Sequence, residues 1–218
     1  KSYSAYQSMT EAAVAISKAK NPIILVGNGA IRGSASEAVT EFATQLNIPV
    51  ANTFMAKGVI PYTHPLSLWT TGLQQRDYIS CAFEQTDLVI AIGYDLIEYS
   101  PKKWNPQGEI PIIHIGAQYA EIDSSYIPIA EIIGDISDSL NEILRRSERI
   151  NQLLDPTIAE IRKNMRSEYE GYGKDNEFPI KPQKLIYDLR QVMGSEDIVI
   201  SDVGAHKMWI ARHYHCER

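Results

Sequence analysis

Short, continuous runs of β-branched residues alternate with longer segments of helical periodicity over the first 150 residues, and this alternation constrains the fold more than any other feature. The sharpest run is Pro22-Ile23-Ile24-Leu25-Val26, followed at once by Gly27-Asn28-Gly29. A strand apolar on both sides must be covered on both faces, which happens in parallel sheets sandwiched between helices. Further strands are expected at 48–51, 88–92, 110–115 and 129–133, which with 23–26 makes about five, and a sixth has room. The intervening segments are long enough for right-handed crossovers. The expected class is therefore α/β: a doubly wound, Rossmann-like parallel sheet of five or six strands with helices on both faces.

Helix signals fill the gaps. Thr10 is placed to cap a first helix running to Lys18, and Ser34 with Glu37 has capping-box spacing before Val39, Phe42, Ala43 and Leu46. From Ile136 to Tyr172 the texture is helical, with a stripe of Leu140, Ile143 and Leu144. Asp155-Pro156 forms an N-cap ahead of Ile158, Ile161, Met165 and Tyr169. The stretch from Glu170 to Glu177 has no periodicity and carries two glycines, which suits a linker. Beyond it, Pro182 opens a helix with an apolar face of Leu185, Ile186, Leu189, Val192 and Met193, which Gly194 ends. A strand, Ile198-Val199-Ile200-Ser201, then runs into a second helix and completes a fresh βα unit. The expected division is residues 1–172, a linker at 173–180, and the start of a second domain at 181–218.

At 218 residues the chain can bury roughly 70% of its unfolded surface. A net charge of -6 with scattered Lys and Arg leaves no footprint for nucleic acid or an anionic membrane. No apolar run approaches bilayer length, and Lys1-Ser2-Tyr3-Ser4 has no signal-peptide character. Two distant cysteines, Cys81 and Cys216, form no disulfide framework and are expected reduced, in keeping with a cytoplasmic protein. The chain lacks an initial Met and stops on Cys216-Glu217-Arg218, so it is expected to be a piece of a longer protein.

Three strand-to-helix turns could carry chemistry. Gly27-Asn28-Gly29 can either receive a phosphate on bare backbone or merely turn tightly; Gly33 falls one residue late for a dinucleotide fingerprint. The segment from Gly93 through Tyr94 to Asn105 follows a strand end, where ligands collect in open parallel sheets, but its Tyr and Trp side chains could equally pack it as a plain loop. Asp202-Val203-Gly204-Ala205-His206 has the small residues and helix start of an anion site, with His206 either donating to the anion or capping the helix. His206, His213, His215 and Cys216 match no zinc spacing, so no metal site is assigned. Nucleophile-elbow, H-E-x-x-H and Walker motifs are absent.

Taken together, these segments resemble a known group. The run from Ala19 through Pro22 to Ala30, Ala56-Lys57-Gly58-Val59-Ile60-Pro61 with His64-Pro65-Leu66, and the run from Asp202 to Trp209 are similar to successive landmarks of thiamine-diphosphate enzymes of the acetolactate synthase and pyruvate oxidase group. The resemblance covers nearly the whole chain: a central domain plus the opening of the C-terminal cofactor domain. Gly93-Tyr94-Asp95 with Ile97-Glu98-Tyr99 and Trp104-Asn105 is most similar to the catabolic, flavin-free branch. Tyr94 stands where the biosynthetic branch has arginine, and His114-Ile115-Gly116-Ala117 lacks the acidic residue that flavin-binding relatives carry there.

The resemblance implies thiamine diphosphate and Mg²⁺ as cofactors of the full-length protein, no FAD, and a 2-keto acid substrate. Two pyruvates would give 2-acetolactate and carbon dioxide, or the reaction would be that of a pyruvate oxidase or another 2-keto acid decarboxylase. It also implies a homodimer or homotetramer. Gly204, Ala205 and His206 would lie at the cofactor diphosphate, with Gly27, Gly29, Lys57 and Tyr94 at a vestigial dinucleotide position. The activating glutamate and the Gly-Asp-Gly metal motif of the group are not in these residues, Gly134-Asp135 being followed by Ile136. The isolated chain is therefore expected neither to turn over pyruvate nor to bind thiamine diphosphate tightly. A non-catalytic nucleotide-binding or assembly module is the competing class.

Overall fold

The computed structural model describes residues 3–73, 78–147 and 154–217. The chain runs α1 (Tyr3–Lys18), β1 (Pro22–Val26), α2 (Asn28–Arg32), α3 (Ser36–Leu46), β2 (Val50–Asn52), β3 (Ser67–Thr70), α4 (Tyr78–Glu84), β4 (Leu88–Ile92), β5 (Ile112–Gly116), β6 (Pro128–Ile133), α5 (Ile136–Arg146), α6 (Pro156–Gly173), α7 (Pro182–Val192) and α8 (Ala205–His213). The six strands form one sheet in the order β3-β2-β1-β4-β5-β6, and every pairing is parallel. The order reverses between β1 and β4, which makes their carboxyl ends the switch point of a doubly wound sheet.

Strand alternation sorts the core into two layers. Ile24, Val26, Ile90, Ile92, Ile113 and Ile115 face the side covered by α1, α3 and α5. Ile23, Leu25, Val89, Ala91 and Ile112 face the side covered by α4 and α6. β1, β4 and β5 are buried at every position, as two-faced burial demands. Asp135 caps α5 by accepting from Asp138 N at 2.9 Å. Asp155 caps α6 by accepting from Thr157 N at 2.8 Å, with Pro156 at the first helical position.

Several expectations are corrected. Ser34 is no N-cap: the turn after β1 folds into the short α2, whose end is closed by Ala35 N donating to Ala30 O at 2.8 Å. Ser34 occupies the left-handed position there (φ +52), and α3 starts two residues later behind an uncapped Ala35. Thr10 lies inside α1, its hydroxyl accepting from Arg146 on α5 at 3.0 Å. β2 begins at Val50 and β5 at Ile112, each after a proline that cannot donate to a ladder. The sixth strand is β3, which bulges against β2 where Trp69 takes φ +63.

Ile198 and Ile200 are 83% and 91% exposed and form no strand, because no strand among the described residues runs alongside to pair with them. On α7 only Ile186 is buried, Leu185 and Val192 being 64% and 80% exposed. α6 continues to Gly173 through Gly171, so helix reaches well into the stretch read as aperiodic. α7 packs on α6 and α8, and α8 rests against β3.

Candidate functional site

At the switch point the backbones following β1 and β4 touch. Gly29 N donates to Gly93 O at 2.8 Å, and Gly27 N to Ile92 O at 2.9 Å. A Cβ on Gly27 would fall 2.5 Å from Gly93 O, and one on Gly93 (φ +58) would fall 2.2 Å from Ala30 N. These glycines are therefore required by the close approach of two chain segments.

A carboxylate closes the same spot. Asn28 N–H donates to both Glu98 oxygens at 3.0 Å, and Thr53 Oγ1, at the end of β2, donates to Oε2 at 2.5 Å. Burial raises the Glu98 pKa above the usual carboxylate range, against the lowering effect of the Thr53 and Asn28 hydrogen bonds.

A second polar centre lies toward the β2–β3 edge. Lys57 follows a single 3-10 turn (Phe54–Ala56), and its ammonium donates to Tyr62 Oη at 2.7 Å and to Ala211 O of α8 at 2.8 Å. The Tyr62 hydroxyl also bonds Thr70 Oγ1, which accepts from Asn52 Nδ2 at 3.0 Å. Tyr62 N donates to Cys216 O at 3.0 Å, so the tail after α8 closes over this chain of groups. Desolvation draws the Lys57 pKa down to about 7 and pushes that of Tyr62 well above its ordinary value.

Tyr94 does not line the rim. It is buried, donates its hydroxyl to Tyr99 O, and packs in a ring cluster with Trp104 and Tyr126 at centroid distances of 6.1 and 5.4 Å. His114 joins that cluster through Nδ1, 2.8 Å from Tyr126 Oη, while Nε2 is 3.0 Å from Gln118 O. A carbonyl only accepts, so Nε2 carries the proton and Nδ1 takes the Tyr126 hydrogen. The imidazole is neutral, in keeping with a pKa lowered by burial.

Gly204 (φ +150), Ala205 and His206 are exposed at the start of α8, and Lys207 Nζ lies 4.4 Å from the centre of the Phe54 ring. His213 and His215 are buried, and desolvation holds their pKa values at about 4 and about 3. His215 stacks on Tyr169 at 3.5 Å. Among the described residues no group of three His, Cys, Asp or Glu side chains could hold a metal. A hollow lined by Lys20, Leu46, Pro49, Ala82, Thr86 and Ile158 opens at the amino ends of β1 and β2, away from the rim. No described helix is long and apolar enough to cross a membrane.

Residues 9–143, which hold the sheet, the Glu98 centre and the Lys57, Tyr62, Thr70 and Asn52 side chains, match the family described as thiamine pyrophosphate enzyme, central domain. The chain belongs to that family. As a thiamine pyrophosphate enzyme central domain it is 30% identical over 208 residues to an acetolactate synthase of Bacillus subtilis, covering 91% of this chain and 35% of that protein. It is 29% identical over 215 residues to an acetolactate synthase of Mycobacterium bovis, covering 95% and 34%. A probable acetolactate synthase large subunit of Methanocaldococcus jannaschii is 30% identical over 213 residues, covering 94% and 36%. The chain thus spans about a third of the length of these relatives.

Within the family match the structure brings Gly27 and Gly29 to Gly93, and buries Tyr94 beside them. The ammonium of Lys57 is enclosed by Tyr62 and α8. Gly204, Ala205 and His206 fall outside the matched stretch. Sequence reasoning missed Glu98, Thr53 and the Tyr62–Thr70–Asn52 chain as site residues. The available signal for Glu98 was a carboxylate in a loop immediately after a strand end.

Proposed function

We propose that this chain is the central domain, residues 1–172, and after a linker at 173–180 the opening of the cofactor domain, residues 181–218, of a thiamine-diphosphate-dependent carboligase that makes 2-acetolactate and carbon dioxide from two pyruvates. The observation that carries the reading is that relatives named acetolactate synthase align with 91–95% of the chain, well beyond the central-domain match at 9–143. In this reading the full-length enzyme is a cytoplasmic homodimer or homotetramer.

Thiamine diphosphate, when bound, supplies the carbon nucleophile and electron sink that decarboxylation of a 2-keto acid requires. Its diphosphate would be held by Gly204, Ala205 and His206. The nine-residue α8 offers exposed backbone N–H groups and the positive end of its dipole, Ala205 adds nothing polar, and His206 adds one hydrogen-bonding ring. No carboxylate cluster for Mg²⁺ exists among the described residues, so the ion's ligands would come from elsewhere in the polypeptide. The flavin-free assignment is supported by Tyr94, whose ring turns into the core, and by Gly116-Ala117, which offer no carboxylate to a ribose hydroxyl.

Calorimetry tests this reading. The 218-residue chain alone is expected to give no micromolar binding of thiamine diphosphate with Mg²⁺, whereas the longer polypeptide binds it and His206→Ala weakens that binding. Micromolar binding by the chain alone, or an indifferent His206→Ala, contradicts the assignment.

A further inference from the structure

Glu98 reaches into the crevice where a doubly wound sheet receives a dinucleotide. Its partners come from three different strand ends: Asn28 after β1, Thr53 after β2, and its own loop after β4. Both donors that could meet a phosphate there, the Asn28 amide and the Thr53 hydroxyl, are already engaged by its oxygens. The bare Cα face of Gly27, where a ligand backbone could approach, is covered on one side by Gly93 O and on the other by Glu98 Oε1, 2.7 Å from where a Cβ would stand. The loop that carries Glu98 is itself held in place. It is fixed by Glu98 N donating to Asp95 O at 3.1 Å, by Ile97 N donating to Asp95 Oδ1 at 3.0 Å, and by the Tyr94 hydroxyl on Tyr99 O.

We propose that Glu98 is the specificity-determining residue that shuts this crevice against the pyrophosphate of a dinucleotide. The inference rests on the flavin-free reading above and adds to it a named cause. A phosphate entering here would have to displace a carboxylate from its hydrogen bonds to Asn28 N and Thr53 Oγ1 and meet like charge in a half-buried setting, with Asp95 adding further negative charge. The residues therefore do not fit a flavin dinucleotide, and the misfit is active occupation by the chain itself.

The test compares the wild-type 218-residue chain with Glu98→Ala and Glu98→Gln, using ADP by calorimetry and FAD by quenching of flavin fluorescence. The wild type is expected to refuse both, and Glu98→Ala to bind ADP at least tenfold more tightly than the wild type. A folded Glu98→Ala that binds ADP no better than the wild type overturns the inference and leaves the flavin-free reading standing. A wild type that binds FAD sinks that reading as well. A second measurement needs no variant: the Asn28 amide ¹⁵N and ¹H shifts of the wild type should follow an acid titration whose midpoint lies above the usual carboxylate range. An Asn28 amide indifferent to pH across that range overturns the inference even if the variants fail to fold.

Discussion

Replacing Lys57 by methionine keeps most of the apolar stem and removes the charge, and the consequence can be worked from the structure. The ammonium, enclosed by Tyr62 and α8, is drawn from 10.5 to about 7 by burial. Each pH unit of such a displacement is worth about 1.4 kcal/mol. At pH 6 the wild-type fold therefore carries a penalty of up to about 5 kcal/mol, a ceiling because solvent reaches part of the side chain. Between about 7 and 10.5 the unfolded chain holds a proton that the folded chain lacks, so wild-type stability rises with pH across that window. By pH 9.5 only about 1.4 kcal/mol of the penalty remains. The methionine variant has no such gradient. It also loses two hydrogen bonds, about 1 kcal/mol each, but that offset is constant with pH. In urea unfolding followed by circular dichroism, variant stability minus wild-type stability should fall by up to about 3 kcal/mol between pH 6 and pH 9.5. Parallel stability curves for the two proteins would refute the reasoning.

Other perturbations have defined outcomes. Gly93→Ala places a Cβ 2.2 Å from Ala30 N at φ +58 and should lower unfolding stability by about 3 kcal/mol or more in a urea titration. Asp155→Ala removes the α6 cap and should lower stability by about 1 kcal/mol, read as a drop in Tm. His215 and His213 titrate near 6.5 when unfolded but stay neutral in the fold down to about 3 and about 4, so stability falls as pH drops below 6.5. His215→Phe fills the same stack on Tyr169, removes a buried Nε2 that has no hydrogen-bond partner, and should make that acid loss shallower in an acid-unfolding series.

The sheet was legible because its central strands are buried on both faces and therefore carry unbroken apolar runs, as in Ile23 to Val26 and Leu88 to Ile92. β3 was not placed, since its four residues bulge around a left-handed Trp69 whose ring nitrogen donates to Tyr62 O at 3.0 Å, a device with no periodic trace. The 198–201 run looks like a strand by composition, yet composition cannot supply the neighbour that a strand requires. Glycine spacing marked the β1–α2 turn as either a phosphate cradle or a tight passage, while what approaches is Gly93, far along the chain. Glu98 reaches Asn28 across 70 residues, and no local pattern encodes such a bond. Lys57 was noticed as a motif residue, but its enclosure depends on α8, more than 150 residues away.

The most direct test of the account as a whole is the product made from pyruvate by the longer polypeptide that contains this chain, supplied with thiamine diphosphate and Mg²⁺ and no flavin. Acetolactate, detected as acetoin after acid decarboxylation, is the expected result. Hydrogen peroxide or free acetaldehyde as the main product, or turnover that appears only when FAD is added, would contradict it.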